Sequence, residues 1–439
     1  MPAYEQAVAP RLGREIFARS VTAAVRPLHA LIVAPALLFI ATMALMLFHP
    51  LDAPVPSYDR FAFGILIFVV FLRACVLREP LRLGGLVTRP MLGLLVLALA
   101  EVLAQPYKAE TWSLFAAKWL IPFALFHVAS RCFDDSLTLS EFEIFAWLVL
   151  AYLSLISIFF MVGAKDLVFP RFILDEGLGI HADRARGPFL QAVANGVAMN
   201  LLGLIALDSF RRRRLRGVLT IILMTGLPLA IMATKTRAVW LSFAASILAL
   251  PLFSSDRRLR RGCLCMILSG ALGLLAAYSA TDHHRSLSER LEENGPVKFR
   301  MAVYEAGWEM FLKKPLSGWG AKAMQNELSR RISDFHQEQY YFHNTYLEIL
   351  VQYGMVGLAL YLWVVIDLFR VGRKRPGVYP KEGSFLDKDF RSLWPLIVLV
   401  YLVNASFVVM NYQFVNGLLF ALAGMLNGQN RRNELNAAY

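Results

Sequence analysis

The sequence predicts an all-α polytopic membrane protein with about twelve spanning helices and one large helical loop on its outer face. Three observations lead there. Hydrophobic residues make up 57% of the 439 and charged residues only 18%, where a soluble domain carries roughly 25% charged. The apolar residues come in runs of about 17–25, the length that crosses about 30 Å of hydrocarbon at 1.5 Å per residue. The lysines and arginines between the runs gather in alternate connections, as the positive-inside rule requires.

The predicted spans follow the apolar runs in order. They are Leu28–Phe48, Phe61–Leu77, Leu86–Ala104, Trp112–Ser130, Phe142–Gly163 and Phe189–Phe210, then Gly217–Thr234, Ala238–Phe253, Cys263–Ala280, Asn344–Phe369, Leu393–Met410 and Phe414–Leu426. The first follows Arg11, Arg14, Arg19 and Arg26. It is too long for a signal-peptide core and lacks a small-residue cleavage site, so it is expected to remain as a span.

Orientation comes from the basic clusters. Arg73–Arg89, Arg211–Arg216, Arg257–Arg261, Arg370–Arg391 and Arg431–Arg432 all fall on one side when the N-terminus is inside. Both termini are therefore expected in the cytoplasm. Three outer segments break the rule: Ala164–Pro188, the turn Thr234–Arg237, and Thr281–His343. Positive charge outside costs insertion efficiency, and an anionic ligand on that face would compensate.

The chain divides into spans 1–9 (residues 1–280), an outer loop (281–343) and spans 10–12 with a tail (344–439), one membrane domain overall. Within the loop, Val303, Ala306, Gly307, Met310 and Phe311 recur close to a 3.6 period, so Ser288–Lys314 should hold an amphipathic helix. Pro315 and Ser317-Gly318-Trp319-Gly320 should end it.

Other classes have little support. The net charge of +13 sits between apolar runs, where topology explains it without nucleic acid. Cys75, Cys132, Cys263 and Cys265 fit no metal motif and are read as packing residues. His181 with Asp183, and Asp282 with His283 and His284, lack the spacing of a recognised metal site. There is no Ser–His–Asp arrangement, P-loop or dinucleotide fingerprint, and no internal repeat.

Three outer motifs carry the candidate chemistry. In His181-Ala-Asp183-Arg184-Ala-Arg186-Gly-Pro-Phe189 two arginines precede a span; guanidinium binds phosphate oxygens in a fork and keeps its charge. The alternative is an interfacial lipid anchor. Arg237 closes a tight turn before a short span, so it is either a functional cation at depth or a snorkelling one. His343-Asn344-Thr-Tyr346 stands where the loop re-enters the membrane. An imidazole near arginines stays neutral and can accept a proton; alone it reads as structural. Gly354 and Gly357 would let a neighbouring helix approach. Lys118 and Glu101 are ionisable residues within predicted spans, read as a proton path or, for Lys118, as added positive charge at the site.

The spacing from His343-Asn344 to Gly354 and Gly357 resembles the signature of the O-antigen ligase family. Arg184-Ala-Arg186-Gly-Pro-Phe and Thr234-Lys-Thr-Arg237 resemble its other two outer arginine sites, and Ser317-Gly-Trp-Gly320 is similar to the turn after its loop helix. The topology carries the likeness over nearly the whole chain, although the motifs are short.

The resemblance implies a GT-C-type membrane glycosyltransferase of a bacterial inner membrane. Such enzymes move a glycan from undecaprenyl diphosphate to an acceptor on the periplasmic side, with lipid A–core as the ligases' acceptor. It implies Arg184, Arg186, Arg237 and Arg300 on the diphosphate, and His343, Arg237 and Arg186 as the catalytic set. Asn344, Lys118, His181 and Tyr346 would lend support. No metal or cofactor is expected. Polymerases and protein-glycosylating ligases share these features. A transporter of polyprenyl-linked glycans is the rival from another class; inverted repeats would mark it, and none is seen.

Overall fold

In the computed structural model the described residues are 35–50, 56–80, 83–254, 256–279, 295–332, 341–373 and 383–437. The basic N-terminal residues Arg11–Arg26 and the candidate metal group Asp282, His283 and His284 lie outside them.

The described residues are all-helical, without strands. A helix occupies each of the twelve predicted places: α1 (Pro35–Leu47), α2 (Tyr58–Leu77), α3 (Thr88–Leu103), α4 (Ala109–Cys132), α5 (Ser136–Met161), α6 (Ala192–Arg211), α7 (Val218–Ala233), α8 (Arg237–Phe253) and α9 (Arg257–Ser279), then, after two loop helices, α12 (Thr345–Val371), α13 (Phe390–Ala405) and α14 (Gln413–Ala437). Six of them, α2, α4, α5, α6, α9 and α12, are long and apolar enough to cross a membrane. The loop holds α10 (Gly295–Lys313), inside the predicted Ser288–Lys314, and α11 (Ala321–Arg331).

One apolar core runs through helices from both ends of the chain, including Phe39, Phe126, Phe142, Leu202, Trp394 and Leu422. α14 lies against α4 so closely that a Cβ on Gly424 or Gly428 would collide with the carbonyls of Phe126 and Ser130. Small residues four apart permit this approach. A separate small cluster, Val303, Met310, Leu328, Phe342 and Val351 among them, glues α10 and α11 to the start of α12.

Some basic residues expected as surface topology signals are internal. Arg212 is paired with Glu143 and, at 2.8 Å, with Asp208, while Arg211 reaches Asp387 at 2.7 Å and Asp389 at 3.1 Å. Arg391 is buried and bonds Gln429 at 3.0 Å and Asn430 at 2.9 Å. These groups tie α5 and α6 to the segment before α13, and α13 to α14. Of the cysteines read as packing residues, Cys132 and Cys263 are buried and Cys75 and Cys265 are exposed.

Gly354 corrects the reading of the glycine pair. Its φ of 67° breaks α12, so it opens no groove for a neighbouring helix. The break leaves carbonyls without helical partners, and the turn after α10 fills them. Trp319 N–H donates to Val351 O at 2.9 Å, Gly320 N–H to Gln352 O at 3.0 Å, and Met355 N–H to Pro315 O at 2.8 Å. Glu101, at the end of α3, completes the joint. Its carboxylate accepts the Ala321 N–H that begins α11 and, at 2.7 Å, the Gln352 side-chain amide.

Candidate active site

The segment 164–190 is built from short 3-10 turns and held from within by Arg186. That side chain is 1% exposed. Its guanidinium donates to the carbonyls of Ile173 at 3.0 Å, Asp175 and Leu178. Arg186 therefore differs from the expected diphosphate ligand: its fork faces loop carbonyls, and it shapes the segment. Arg184, two residues earlier, has a mostly covered side chain and lies 4.0 Å from Asp183.

A backbone bond from Ala185 N–H to Ala233 O, at 3.0 Å, joins this segment to the Thr234–Arg237 turn. Asn195 braces it by donating to Ala185 O at 2.9 Å. Thr234 and Thr236 turn their hydroxyls back on Ile231 O and Thr234 O. Arg237 begins α8 and is exposed, and among the described residues it has no ion pair. A cation at a helix N-terminus meets the positive end of the dipole, so the pair together favours an anion.

His343 has the left-handed backbone, φ 49°, because α12 starts abruptly behind it. Asn344 caps that helix, its Oδ1 accepting from Tyr346 N–H and Leu347 N–H, each at 3.0 Å. This satisfies two of the free donors of a helix start. From α10, Phe299 sets its ring 6.3 Å from the imidazole and Tyr304 donates to His343 O at 3.4 Å. Burial, then the charges of Arg300 and His181, push His343 down to about 4. The imidazole is thus neutral at physiological pH.

Backbone strain concentrates here. Among the described residues, four of the seven non-glycine residues with positive φ are His181, Leu190, Lys235 and His343. Such outliers gather at functional sites.

His343, Asn344, Arg300 and His181 thus come together, and Arg184 shares a bonded frame with the turn that carries Arg237. Two supporting residues do not join them. Lys118 is held by Glu348 at 2.7 Å, which neutralises the charge it was expected to add. Tyr346 points its hydroxyl to Leu402 O at 3.1 Å. Tyr304 is an addition; its place one turn after Arg300 was the available signal. Among the described residues no group of three or more His, Cys, Asp or Glu could hold a metal ion.

No curated protein matches the chain. Residues 219–362, about a third of it, match the family described as O-antigen ligase. The matched stretch contains Arg237, Arg300, His343 and Gly354. Over that segment the chain is similar to the O-antigen ligase family.

Proposed function

We propose that the protein is a GT-C-type transferase with twelve spans forming one membrane domain, both termini cytoplasmic and its site on the periplasmic face of a bacterial inner membrane. In this reading residues 1–280 hold spans 1–9, 281–343 the loop, and 344–439 spans 10–12 with a tail. The donor is a glycan on undecaprenyl diphosphate and the acceptor a sugar hydroxyl of lipid A–core. The observation that carries this reading is the buried His343 where the loop meets α12, with the charges of Arg300 and His181 acting on it.

Attack of the acceptor oxygen on the anomeric carbon breaks the bond to the diphosphate and inverts that centre. His343 takes the hydroxyl proton as general base. Negative charge grows on the departing diphosphate, and fixed cations aimed there lower the barrier. Arg300, Arg184 and Arg237 supply it, Arg300 beside the imidazole and the other two from the frame joined at Ala185–Ala233. Arg186 acts one step back by holding that frame, and no cofactor takes part.

The pairing also sets the timing. An imidazole near pH 4 is a weak base. A bound diphosphate offsets Arg300 and His181, raising its affinity for protons when one must be taken. Burial, the larger cause of the lowering, persists with donor in place, so the base strengthens in part.

Purified protein in proteoliposomes, supplied with lipid-linked glycan and lipid A–core, free polysaccharide or pilin as acceptors, tests the reading. Product on lipid A–core, lost in His343→Ala and Arg300→Ala, supports the ligase. Product on free glycan or pilin assigns a polymerase or protein-glycosylating ligase instead. Movement of the donor across the bilayer without product assigns a transporter.

A further inference from the structure

We infer that α10 is an interfacial helix whose outer stripe rests in the lipid leaflet next to the site. Apolar residues line two of its faces, and the exposed Glu305 lies among those of the outer one. Val303, Ala306 and Met310 pack inward on α12 and α11. Nearly opposite, Met301, Trp308 and Leu312 are exposed, and Leu316 continues the stripe beyond the helix end; their exposures are 66%, 53%, 60% and 68%.

The height of this stripe follows from α12. The 17 residues past its break, 355–371, span about 25 Å at 1.5 Å each, most of the roughly 30 Å of hydrocarbon. The first turns of α12 therefore stand clear of the hydrocarbon. Its exposed large apolar residues, Met355, Val356, Leu362, Trp363 and Ile366, all lie past Gly354, which places the boundary near that break. The carbonyl of Leu316 stands against Gly354, so the C-terminal end of α10 meets the membrane at that level. Glu101, near the end of α3, reaches the same joint.

The charges suit a headgroup layer. Lys298, Lys313 and Lys314 are exposed around the stripe, and Lys314 lies 4.4 Å over the Trp319 ring. Glu309, which borders the stripe, is offset by Arg331 at 2.5 Å. Tryptophan and leucine with flanking lysines are what an interfacial helix presents to anionic lipid. Arg300 adjoins Met301 at the N-terminal end of the stripe, so the depth of α10 sets the height of Arg300 relative to the leaflet.

Nitroxides at Leu312→Cys and Leu316→Cys, in the full chain with Cys75→Ser and Cys265→Ser, test this in nanodiscs of phosphatidylcholine with and without phosphatidylglycerol. The ratio of oxygen to nickel-chelate accessibility should exceed that at Ser329→Cys by about threefold or more. It should rise further with phosphatidylglycerol, and Lys313→Gln should reduce that rise. Bromolipid quenching of tryptophan fluorescence should fall in Trp308→Phe, a readout that needs no label. Accessibilities equal to that of Ser329→Cys would overturn the inference. So would spin–spin broadening at both sites, which would place a second copy of the chain on the stripe. Immersion indifferent to phosphatidylglycerol would remove the lysines from it.

Discussion

Gly318 and Gly354 face one another across the joint between the turn after α10 and α12, and neither position has room for a side chain. A Cβ on Gly318 would strike Gln352 O, and one on Gly354 would strike Leu316 O; their φ values are 69° and 67°. Each glycine supplies both a backbone conformation and a clearance that no other residue offers.

Gly354→Ala and Gly318→Ala should therefore each destabilise the protein by more than about 2 kcal/mol, through strain plus loss of the joint's hydrogen bonds. Thermal unfolding in detergent should show it. A midpoint unchanged in both variants would mean that the joint is not a rigid dock.

The acid limb of the rate should report His343. Its pKa is lowered to about 4, so the neutral base is present above that pH and lost as pH falls through it. In the free enzyme kcat/KM should stay level from about pH 6 to 8 and decline only in more acid solution. Removing a positive neighbour with Arg300→Gln should move that limb upward, toward the ordinary histidine value of about 6.5. A limb that stays in place would detach Arg300 from the imidazole.

Arg186 and Arg300 should separate by chemistry. Three carbonyls surround Arg186, and lysine has no planar fork with which to reach them together. Arg186→Lys should fail nearly as badly as Arg186→Gln, with faster proteolysis within residues 164–190. Full rescue by lysine would show that Arg186 contributes charge alone.

Lys118 and Glu348 should behave as a unit. Both side chains are largely covered, at 12% and 13% exposure, so Glu348→Gln leaves a buried cation uncompensated, costing about 3–5 kcal/mol. The double variant Lys118→Met with Glu348→Gln should regain most of that loss. Equal losses in the single and double variants would mean the ion pair is incidental.

The helices are legible in the sequence because an apolar run of bilayer length has few other uses. Arg300 stands out for a related reason, a cation in a loop where the positive-inside rule expects few, whereas His343 stands out by its place where the loop re-enters the apolar run. Arg184 and Arg186, two residues apart, are equivalent on paper. Only the fold of residues 173–178 turns one of them inward. Gly354 and Gly357 satisfy helix packing as well as a break, and the turn that decides between them lies far away in the chain. Gly424 and Gly428 are the reverse case, a small-residue spacing that announces a close helix contact without the pairing partner.

Lys118 and Glu348 are separated by 230 positions. At a synthesis rate of about 5–20 residues per second, the lysine leaves the ribosome roughly 10–50 s before its counterion exists. During that interval α4 has an orphan ammonium within an otherwise apolar segment. Its settled depth in the bilayer must await the arrival of α12, which makes the insertion of α12 the event that locks α4. Nascent chains arrested before Glu348 should accordingly hold α4 loosely, still open to extraction or to capture by an insertion chaperone.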